Sequence, residues 1–382
     1  GRYAPARDYF FDHGEPIKAG TLLRNPKLAT TFKEIAKQGS QAFYKGPIAK
    51  DIIDTVQGAK DNPGLLSEAD LQAYRAVERP PVCSRHHQYK VCGMGPPTSG
   101  GITVLQILAL LEPFNMSRYQ PMSLDAIQLF SQASRLAYAD RDHFIADSDF
   151  VNVPVDGLLN KEYLKQRSAL INIEQDMKTA QAGDVPNARP KPLGQTLAQP
   201  STSHISIVDA SGNAISMTTS IEMAFGSTLM SGGFLLNNQL TDFSFNHKKN
   251  GHLIANRVEG NKRPRSSMSP MMVFDRNDQL LLVIGSPGGS RIINYVAKTI
   301  IGVLDWQLDI QKAIDLPNMS NRNSNTDLEL GSSITSLKNA LEKKGHQVKI
   351  RELNSGLHGI LVTPNGLIGG ADSRREGIAK GL

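Results

Sequence analysis

The stretch STSH, residues 201–204, holds the side chains with the clearest chemical potential. It opens an alternating apolar pattern that predicts a β-strand from Thr202, a turn at ASGN and a returning strand. With the turn centred near Ser211, Ser220 falls opposite Thr202, and Glu222 lies one alternation further along the same face. The stretch is either a strand cap or a nucleophile, since a Thr hydroxyl activated by a neighbouring base can attack a carbonyl carbon.

Two later stretches could complete a site around that hydroxyl. KRPRSSMSP, residues 262–270, presents adjacent Ser266 and Ser267 in a proline-bounded segment. In GSPGGSR, residues 285–291, Gly288 and Gly289 link a buried strand to a helix and would leave backbone N–H groups near the helix N-terminus. Such groups suit a developing oxyanion. Taken alone, however, the glycines are better explained by plain turn chemistry.

A third stretch, GGFLLNNQLTDFSF, clusters polar residues after an apolar pair and includes Gln239 and Asp242. Clusters of this kind between strands usually form turns. Their oxygens would also suit a ligand's ammonium group. A Ser–His–Asp hydrolase using Ser201 or Ser203 with His204 is a poor alternative, because neighbouring strand residues point to opposite faces and no nucleophile elbow is present.

The elements that must position these residues follow from apolar periodicity. Alternating patterns predict that strands dominate from residue 202 to about residue 284, after which strand and helix segments alternate to the end. Residues 185–201 are rich in proline, lack periodicity and predict an exposed, flexible linker. Helical spacing predicts helices in these segments: most of 1–80, 102–111, 123–147 and 290–305.

Cys83 and Cys92 flank a short hairpin predicted in VCSRHHQYKVCGM. If its turn centres near His87, the two thiols face each other across the strands at a separation suited to a disulfide. A disulfide favours an oxidising compartment such as a periplasm or the exterior. The alternative is two buried free thiols. The adjacent His86 and His87 are weak evidence for zinc, which needs more ligands at metal-binding spacing.

Composition sets wider limits. The chain has 382 residues, a net charge of +6 and 40% hydrophobic residues, which is ordinary globular composition. Its Lys and Arg are scattered and aromatics make up only 6%, so a solvated basic surface is favoured over a nucleic-acid partner. The sequence shows neither a signal peptide nor an apolar run long enough to span a bilayer. No metal or organic cofactor is expected.

Taken in order, these motifs resemble the γ-glutamyltranspeptidase family of the N-terminal nucleophile hydrolase superfamily. The resemblance runs through PPTSGG, TSHISIVD, FGS, LLNNQLTDFS, KRPRSSMSP and GSPGGSRI and covers essentially the whole chain. It implies an α/β (α+β) fold, a four-layer αββα sandwich, made as a precursor that cuts itself at Ser201–Thr202. Residues 1–201 would form the C-terminal part of the large subunit. Residues 202–382 would form the small subunit, and the two would remain together as a heterodimer in one structural domain.

The resemblance also implies a role for each candidate residue. Cleavage before Thr202 would free an α-amine, which titrates near about 7.7–8 and can serve as base to the same residue's hydroxyl. The other roles by resemblance are a supporting hydroxyl at Ser220, ammonium binding at Gln239 and Asp242, carboxylate binding at Ser266 and Ser267, and an oxyanion hole at Gly288 and Gly289.

The chain departs from the family pattern at three places. Glu222 stands where well-known members have an Asn that contacts the donor, so it should strengthen ammonium binding and disfavour glutaryl amides. The segment between Ser244 and Lys262 contains no Tyr and is short, although in several members it forms a lid. The N-terminal part of the large subunit, with an Arg that pairs with the donor carboxylate, is expected to be missing.

The leading hypothesis is a periplasmic or secreted bacterial γ-glutamyltransferase and glutathione hydrolase. It would pass a γ-glutamyl group through an ester on Thr202 to water, an amino acid or a peptide. One alternative is a glutaryl or cephalosporin-type acylase of the same superfamily. Another is a non-processing relative that binds without catalysis.

Overall fold

The computed structural model describes residues 2–196 and 201–381. The α-helices, numbered in chain order, are α1 (Ala4–Phe10), α2 (Pro26–Gln38), α3 (Gln41–Tyr44), α4 (Gly46–Gln57), α5 (Glu68–Ala73), α6 (Gly100–Leu111), α7 (Leu124–Phe144), α8 (Val155–Leu158), α9 (Lys161–Ser168), α10 (Ile292–Leu304), α11 (Ile310–Asp315) and α12 (Lys338–Lys343). None of these described helices has the length and apolar character needed to cross a bilayer.

The strands are short and lie mostly after residue 200. They are β1 (Phe11–Asp12), β2 (Glu15–Pro16), β3 (Pro81–His86), β4 (Tyr89–Met94), β5 (Ser203–Val208), β6 (Ala214–Thr219), β7 (Met230–Ser231), β8 (Phe234–Leu235), β9 (Lys248–Lys249), β10 (His252–Leu253), β11 (Met271–Phe274), β12 (Leu280–Gly285), β13 (Met319–Asn321), β14 (Thr326–Glu329), β15 (Val348–Arg351), β16 (His358–Thr363) and β17 (Gly366–Ala371).

Two compact units make up the chain. The smaller comprises Gly1–Glu78 and Ile221–Gln239, and the larger comprises Arg79–Ser220 and Leu240–Leu382. Each unit draws on both sides of the Ser201–Thr202 bond. The predicted division of the chain at that bond concerns covalent processing, and it stays a prediction.

The smaller unit confirms the helical character predicted for its N-terminal segment, through α1 to α5. Helix α5 begins with the capping box that its sequence indicates: Ser67 accepts from the Asp70 N–H, and the Asp70 carboxylate accepts from the Ser67 N–H. The short β7–β8 hairpin is fastened to α2, because Asn25 donates to the Gly233 carbonyl at 2.7 Å and Thr31 donates to the Gly232 carbonyl at 2.8 Å.

A six-stranded sheet organises the larger unit, in the order β17-β16-β12-β11-β4-β3. Side chains alternate across its central strands. Met271 and Val273 of β11 join Leu282 and Ile284 of β12 in a buried cluster with α6, α7 and α10. Helix α6 is buried along almost its whole length, as its apolar sequence predicts, and it separates the sheet from α7. This helix-covered face holds the main core of the unit.

The β5–β6 hairpin packs on the same sheet, against β12 and β16. Its register pairs Ser203 with Thr219 and Ile207 with Ile215 around a turn at Asp209–Asn213, close to the predicted one. Ser216 Oγ donates to the Ile284 carbonyl at 3.0 Å, which fixes the hairpin to β12. The larger unit therefore shows a helical layer, a central sheet and a second β layer that begins next to Thr202.

The cysteine hairpin forms as predicted. Strands β3 and β4 pair Cys83 with Cys92, and the two residues are joined in a disulfide. Its turn contains His87, whose φ of 52° places it in the left-handed region. The alternative of two free thiols is wrong.

The predicted linker is only partly described, because residues 197–200 lie outside the described residues. Its described part is largely exposed, as expected, but it is held at two points. The Lys191 N–H donates to the His143 carbonyl at 3.1 Å, and the Phe245 N–H donates to the Gln195 carbonyl at 2.8 Å. Backbone hydrogen bonds of this kind order a proline-rich segment that lacks a regular element.

Candidate active site

Thr202 lies immediately before β5, and its side chain meets the end of β6. Thr202 Oγ1 donates a hydrogen bond to Ser220 Oγ over 3.1 Å. The contact follows from the register, since Ser203 pairs with Thr219 and the next pair outward is Thr202 with Ser220. The predicted juxtaposition of these two hydroxyls is thus present.

The peptide bond before Thr202 is held in an unusual conformation. Thr202 has a φ of 106°, which is a true outlier for a β-branched residue. The carbonyl oxygen of Ser201 accepts a hydrogen bond from the Gly288 N–H at 3.1 Å. On the other side of the residue, Arg375 Nη1 donates to the Thr202 carbonyl at 3.4 Å. A strained Thr therefore follows a carbonyl group that a glycine N–H polarises.

The turn that supplies this N–H requires glycine at position 288. Gly288 has a φ of 135°, and a Cβ on it would lie 2.7 Å from the Tyr295 ring. Gly289 follows with a φ of 59°, in the left-handed region that favours glycine. The turn leads through a 3-10 segment, Gly289–Arg291, into α10. Its position after β12 and before a helix is the one predicted from the sequence.

Ser266 and Ser267 lie in an extended segment next to the N-terminus of α6. Ser266 Oγ donates to Thr98 Oγ1 at 2.8 Å, and the Ser266 carbonyl accepts from both the N–H and the hydroxyl of Ser99. Ser267 Oγ accepts from Arg141 Nη2 at 2.8 Å. The PPTSGG motif, residues 96–101, therefore contacts the serine pair directly.

Arg141 is a residue of this cluster that the sequence analysis missed. It projects from α7, is buried, and donates to Ser99 Oγ, Ser267 Oγ and the carboxylate of Asp142 at 2.8, 2.8 and 2.6 Å. The signal in the sequence is an arginine within an otherwise apolar helix face. Burial there carries a cost for a cation that its three acceptors offset.

A second buried arginine lies beside the first. Arg265 pairs with Asp142 at 3.1 Å and donates to the Arg141 carbonyl at 2.9 Å. The pKa of Arg265 is lowered to about 10, first by burial and then by the charge of Arg141, while the Asp142 carboxylate opposes both effects. Two guanidinium groups and one carboxylate therefore lie beside the serine pair, and the net positive charge that remains favours an anion.

The remaining predicted residues are less closely tied to Thr202. Asp242 closes a 3-10 segment, Gln239–Asp242, and its carbonyl accepts from Asn256 Nδ2 at 2.7 Å. In the smaller unit, the Gln239 N–H donates to Asn237 Oδ1 at 2.9 Å. The predicted ammonium-binding roles of Asp242 and Gln239 stay predictions.

The prediction that Glu222 continues the strand alternation of Ser220 is wrong. Strand β6 ends at Thr219, and Glu222 belongs to the smaller unit with a φ of 74°, which an extended strand does not allow. Glu222 is buried and accepts from Asn238 Nδ2 at 2.8 Å. The physical reason is the turn after residue 220, in which Asn238 bonds both this carboxylate and the Met223 N–H. The predicted donor contact of Glu222 stays a prediction.

Comparison with known protein families shows which family the chain belongs to. The model of the gamma-glutamyltranspeptidase family matches residues 2–382. The chain belongs to the gamma-glutamyltranspeptidase family. The resemblance drawn from its motifs is therefore confirmed.

Individual relatives agree with this assignment. The chain is 39% identical over 379 residues to the glutathione hydrolase proenzyme of Escherichia coli K12 and 38% identical over 396 residues to that of Bacillus subtilis 168. It is 31% identical over 362 residues to an Acylase ACY 1 proenzyme of Pseudomonas sp. strain V22. These matches cover 96%, 99% and 94% of the chain but only 63%, 65% and 61% of the relatives, so it spans about two thirds of their length.

The architecture also has a solved counterpart. The crystal structure of a cephalosporin acylase from Bacillus halodurans superposes with a TM-score of 0.84 at 24% identity, over 99% of this chain and 67% of the other. At that identity the likeness shows the fold alone. It confirms the mixed α/β (α+β) fold class predicted from the sequence.

Proposed function

We propose that this protein is a γ-glutamyltransferase and glutathione hydrolase that is made as a precursor and cleaves itself between Ser201 and Thr202. One observation carries the proposal: the Ser201 carbonyl accepts from the Gly288 N–H at 3.1 Å, next to a Thr202 hydroxyl bonded to Ser220. A nucleophile, a polarised carbonyl and a supporting hydroxyl meet at one peptide bond. Acyl transfer needs these three parts.

In the proposed self-cleavage, Thr202 Oγ attacks the carbonyl carbon of Ser201. The Gly288 N–H stabilises the oxyanion that develops, and the C–N bond of the peptide breaks as the nitrogen takes up a proton. The acyl group then rests on the Thr202 oxygen as an ester. Water hydrolyses that ester, which releases the Ser201 carboxylate and leaves Thr202 with a free α-amine. The strained φ of Thr202 favours this course, because cleavage removes the constraint.

After self-cleavage, the amine and hydroxyl of Thr202 would carry out the reaction on the substrate. The free amine of Thr202 acts as base to its own hydroxyl, which attacks the γ-carbonyl of a γ-glutamyl amide such as glutathione. The amine leaving group departs with a proton, and a γ-glutamyl ester remains on Thr202. Water or the amino group of an amino acid or peptide takes the acyl group and regenerates the hydroxyl. We propose that the N–H groups of Gly288 and Gly289 stabilise the oxyanion both when the γ-glutamyl ester forms and when it is broken down.

The serine pair is proposed to bind the donor's α-carboxylate. The Ser267 hydroxyl accepts from Arg141 and can direct its own proton to a substrate oxygen. The buried charge of Arg141 adds an attraction for an anion at this place.

Subunits and location follow from the same proposal. Self-cleavage would divide the chain into two fragments that we propose stay associated as a heterodimer. The relatives' proenzyme names support a precursor that is processed. The disulfide between Cys83 and Cys92 supports an oxidising compartment, so we propose a periplasmic or secreted protein.

An acylase acting on glutaryl-type side chains is the second candidate. The similarity to an Acylase ACY 1 proenzyme favours it. The donor contact predicted for Glu222 weighs against it, because a second carboxylate near the donor would favour one that carries an ammonium group. Rates on a γ-glutamyl anilide and on the matching glutaryl anilide separate the two, and we expect the γ-glutamyl compound to be preferred.

The decisive experiment uses the intact mass of the purified protein and N-terminal sequencing of its fragments. We expect two fragments in the parent protein, one of them beginning at Thr202. Thr202→Ala should stay uncut and inactive, because it lacks the hydroxyl. Thr202→Ser is the matched control: it retains the hydroxyl and should still be cut and turn over, at a lower rate.

Two outcomes would contradict the proposal. Turnover by Thr202→Ala at the parent's rate would remove the nucleophile assignment. A parent chain that stays uncut for days and hydrolyses no amide would favour a binding protein without catalysis.

A further inference from the structure

A cluster of metal-ligand side chains lies in the larger unit, away from the residues of the candidate active site. His86 and His87, in the turn of the β3–β4 hairpin, meet Asp305, which follows the last residue of α10. His86 Nε2 lies 2.9 Å from Asp305 Oδ2, and His87 Nε2 lies 3.0 Å from Asp305 Oδ1. One carboxylate thus holds two imidazoles through separate oxygens.

We propose that His86, His87 and Asp305 form a binding site for Zn²⁺. Two imidazoles and a carboxylate suit zinc, which binds such ligands at about 2.0–2.2 Å and usually takes four of them. One ligand atom from each residue lies within 4.8 Å of the other two. An ion bound between them would replace the two hydrogen bonds that join the imidazoles to Asp305, and the His87 side chain, 35% exposed, is the partly solvent-facing member of the group.

The fourth ligand can come from the surroundings of the cluster. His87 and Asp305 line a cavity of about 510 Å³ that also includes Glu112 and Gln307. Glu112 Oε1 accepts from the His87 N–H at 3.3 Å and lies 3.9 Å from His87 Nδ1. A water molecule in the cavity would complete a tetrahedron, and Glu112 would stand beside Nδ1 of His87 as an outer acceptor. The two carboxylates together match the charge of a divalent cation.

The electrostatic setting also favours a cation. Asp305 lies at the C-terminal end of α10, a 13-residue helix whose last carbonyl groups carry partial negative charge. Among the described residues, His86 Nδ1 is buried without a hydrogen-bond partner. An ion bound to His86 Nε2 would replace the hydrogen bond from that nitrogen to Asp305, and the ring proton would then lie on Nδ1. The same lack of an outer hydrogen bond weakens a zinc site, so we expect micromolar rather than nanomolar affinity.

Such an ion would fasten the β3–β4 turn to the end of α10. The opposite end of α10 follows the Gly288–Gly289 turn, and at about 1.5 Å per residue the helix spans roughly 20 Å. The site is therefore remote from Thr202, and its effect should be on stability rather than on turnover. The inference does not depend on the proposed function.

The test is calorimetric titration of the chelator-treated protein with ZnCl₂. We expect one Zn²⁺ per chain with micromolar affinity, and a rise in Tm of roughly 3–5 °C at saturating zinc. His87→Gln and Asp305→Asn should each lower the affinity at least tenfold. Ca²⁺ and Mg²⁺ should give no binding at this cluster, because both prefer oxygen ligands.

Two controls separate this site from other zinc ligands. His252→Gln, a change at an exposed histidine, should leave the binding unchanged. The titration is repeated in Thr202→Ala, in which a new N-terminal amine cannot contribute a ligand. Because His87 lies at the surface, His87→Gln should retain the fold. It therefore still tests the site if the change at buried Asp305 prevents folding. Absence of one-to-one binding in the parent, or unchanged affinity in His87→Gln, would overturn the proposal.

Discussion

The Ser201 carbonyl oxygen and the Thr202 hydroxyl give the candidate active site its chemical character at the scale of single residues. The oxygen accepts from the Gly288 N–H, and the hydroxyl donates to Ser220. A positive φ at a β-branched residue costs on the order of 1–3 kcal/mol, which the surrounding contacts must sustain. The strained residue adjoins the peptide bond that the proposed mechanism breaks. Strain therefore raises the ground-state energy at the place where the Gly288 N–H would stabilise the transition state.

Arg141 extends this site toward the serine pair. Its guanidinium joins Ser99 and Ser267 through Nε and Nη2, while Nη1 contacts Asp142. A lysine ammonium is a compact point charge and cannot reproduce this planar three-way contact. The geometry of the Ser267 hydroxyl therefore depends on an arginine at this position.

We expect Arg141→Lys to raise the KM for a γ-glutamyl anilide by about tenfold or more, because a misplaced Ser267 loses a charge-assisted hydrogen bond worth roughly 1.5–3 kcal/mol. The effect should fall mainly on KM and less on kcat. Steady-state kinetics of processed protein measure both quantities. Arg118→Lys, a change at an exposed arginine, is the control and should match the parent. An unchanged KM in Arg141→Lys would show that Arg141 has no part in donor binding.

At the scale of elements, the sequence predicts what depends on local periodicity. Strand alternation and the ASGN turn suffice to bring Ser220 opposite Thr202, because both residues belong to one hairpin. The cysteine pair follows from the same reasoning. Arg141 could not be found in this way, because 126 residues separate it from Ser267 and only the packing of α7 joins them. The sequence pattern places Glu222 on the strand, but Asn238 bonds the Glu222 carboxylate and the Met223 N–H in a turn that ends the strand first.

The packing of the β5–β6 hairpin on β12 is the element contact on which the position of Thr202 depends. His204, two residues after Thr202, packs over Gly285 at the end of β12, where an added Cβ would lie 2.2 Å from His204 Cε1. The same ring is hydrogen-bonded to Thr218 Oγ1 at 2.8 Å, so a shift of the ring away from an added Cβ would strain that bond. Gly285 is therefore required by close approach rather than by its backbone conformation.

We expect Gly285→Ala to displace the hairpin, slow the cleavage before Thr202 and lower the free energy of unfolding by about 1–3 kcal/mol, the usual cost of overpacking. Intact mass against time measures the cleavage, and urea unfolding measures the stability. Gly260→Ala is the matched control, because nothing lies within 4 Å of its added Cβ. Cleavage of Gly285→Ala at the parent's rate would mean that the hairpin contact does not position the nucleophile.

At the scale of the whole molecule, stability should depend on pH through histidines that the fold keeps neutral. The pKa of His204 is lowered to about 3, mainly by burial and in smaller part by the charge of His358. Burial also lowers the pKa of His346 to about 4, with Asp176 opposing the shift. Both rings are tied to neutral hydroxyls, since His204 bonds Thr218 and His346 bonds Thr326 at 2.7 Å.

The direction of the pH effect follows from proton binding. Below the ordinary histidine pKa of 6.5 the unfolded chain takes up a proton at each ring, whereas folded His204 does so only near pH 3. The free energy of unfolding therefore falls as the pH falls from 6.5, by up to about 1.4 kcal/mol per pH unit for each histidine. Above pH 6.5 both states are neutral at these rings, and their contribution is constant.

His204→Gln removes one of these two titrations while keeping a polar side chain near Thr218. We expect the slope of unfolding free energy against pH, measured by urea titration between about pH 6.5 and 4, to decrease by as much as about 1.4 kcal/mol per unit. His252→Gln replaces an exposed histidine and should keep the parent's slope. If His204→Gln and the parent lose stability equally steeply, His204 must already be charged in the fold. In that case the contact between the β5–β6 hairpin and β12 would have to accommodate a cation, contrary to the apolar packing around Gly285.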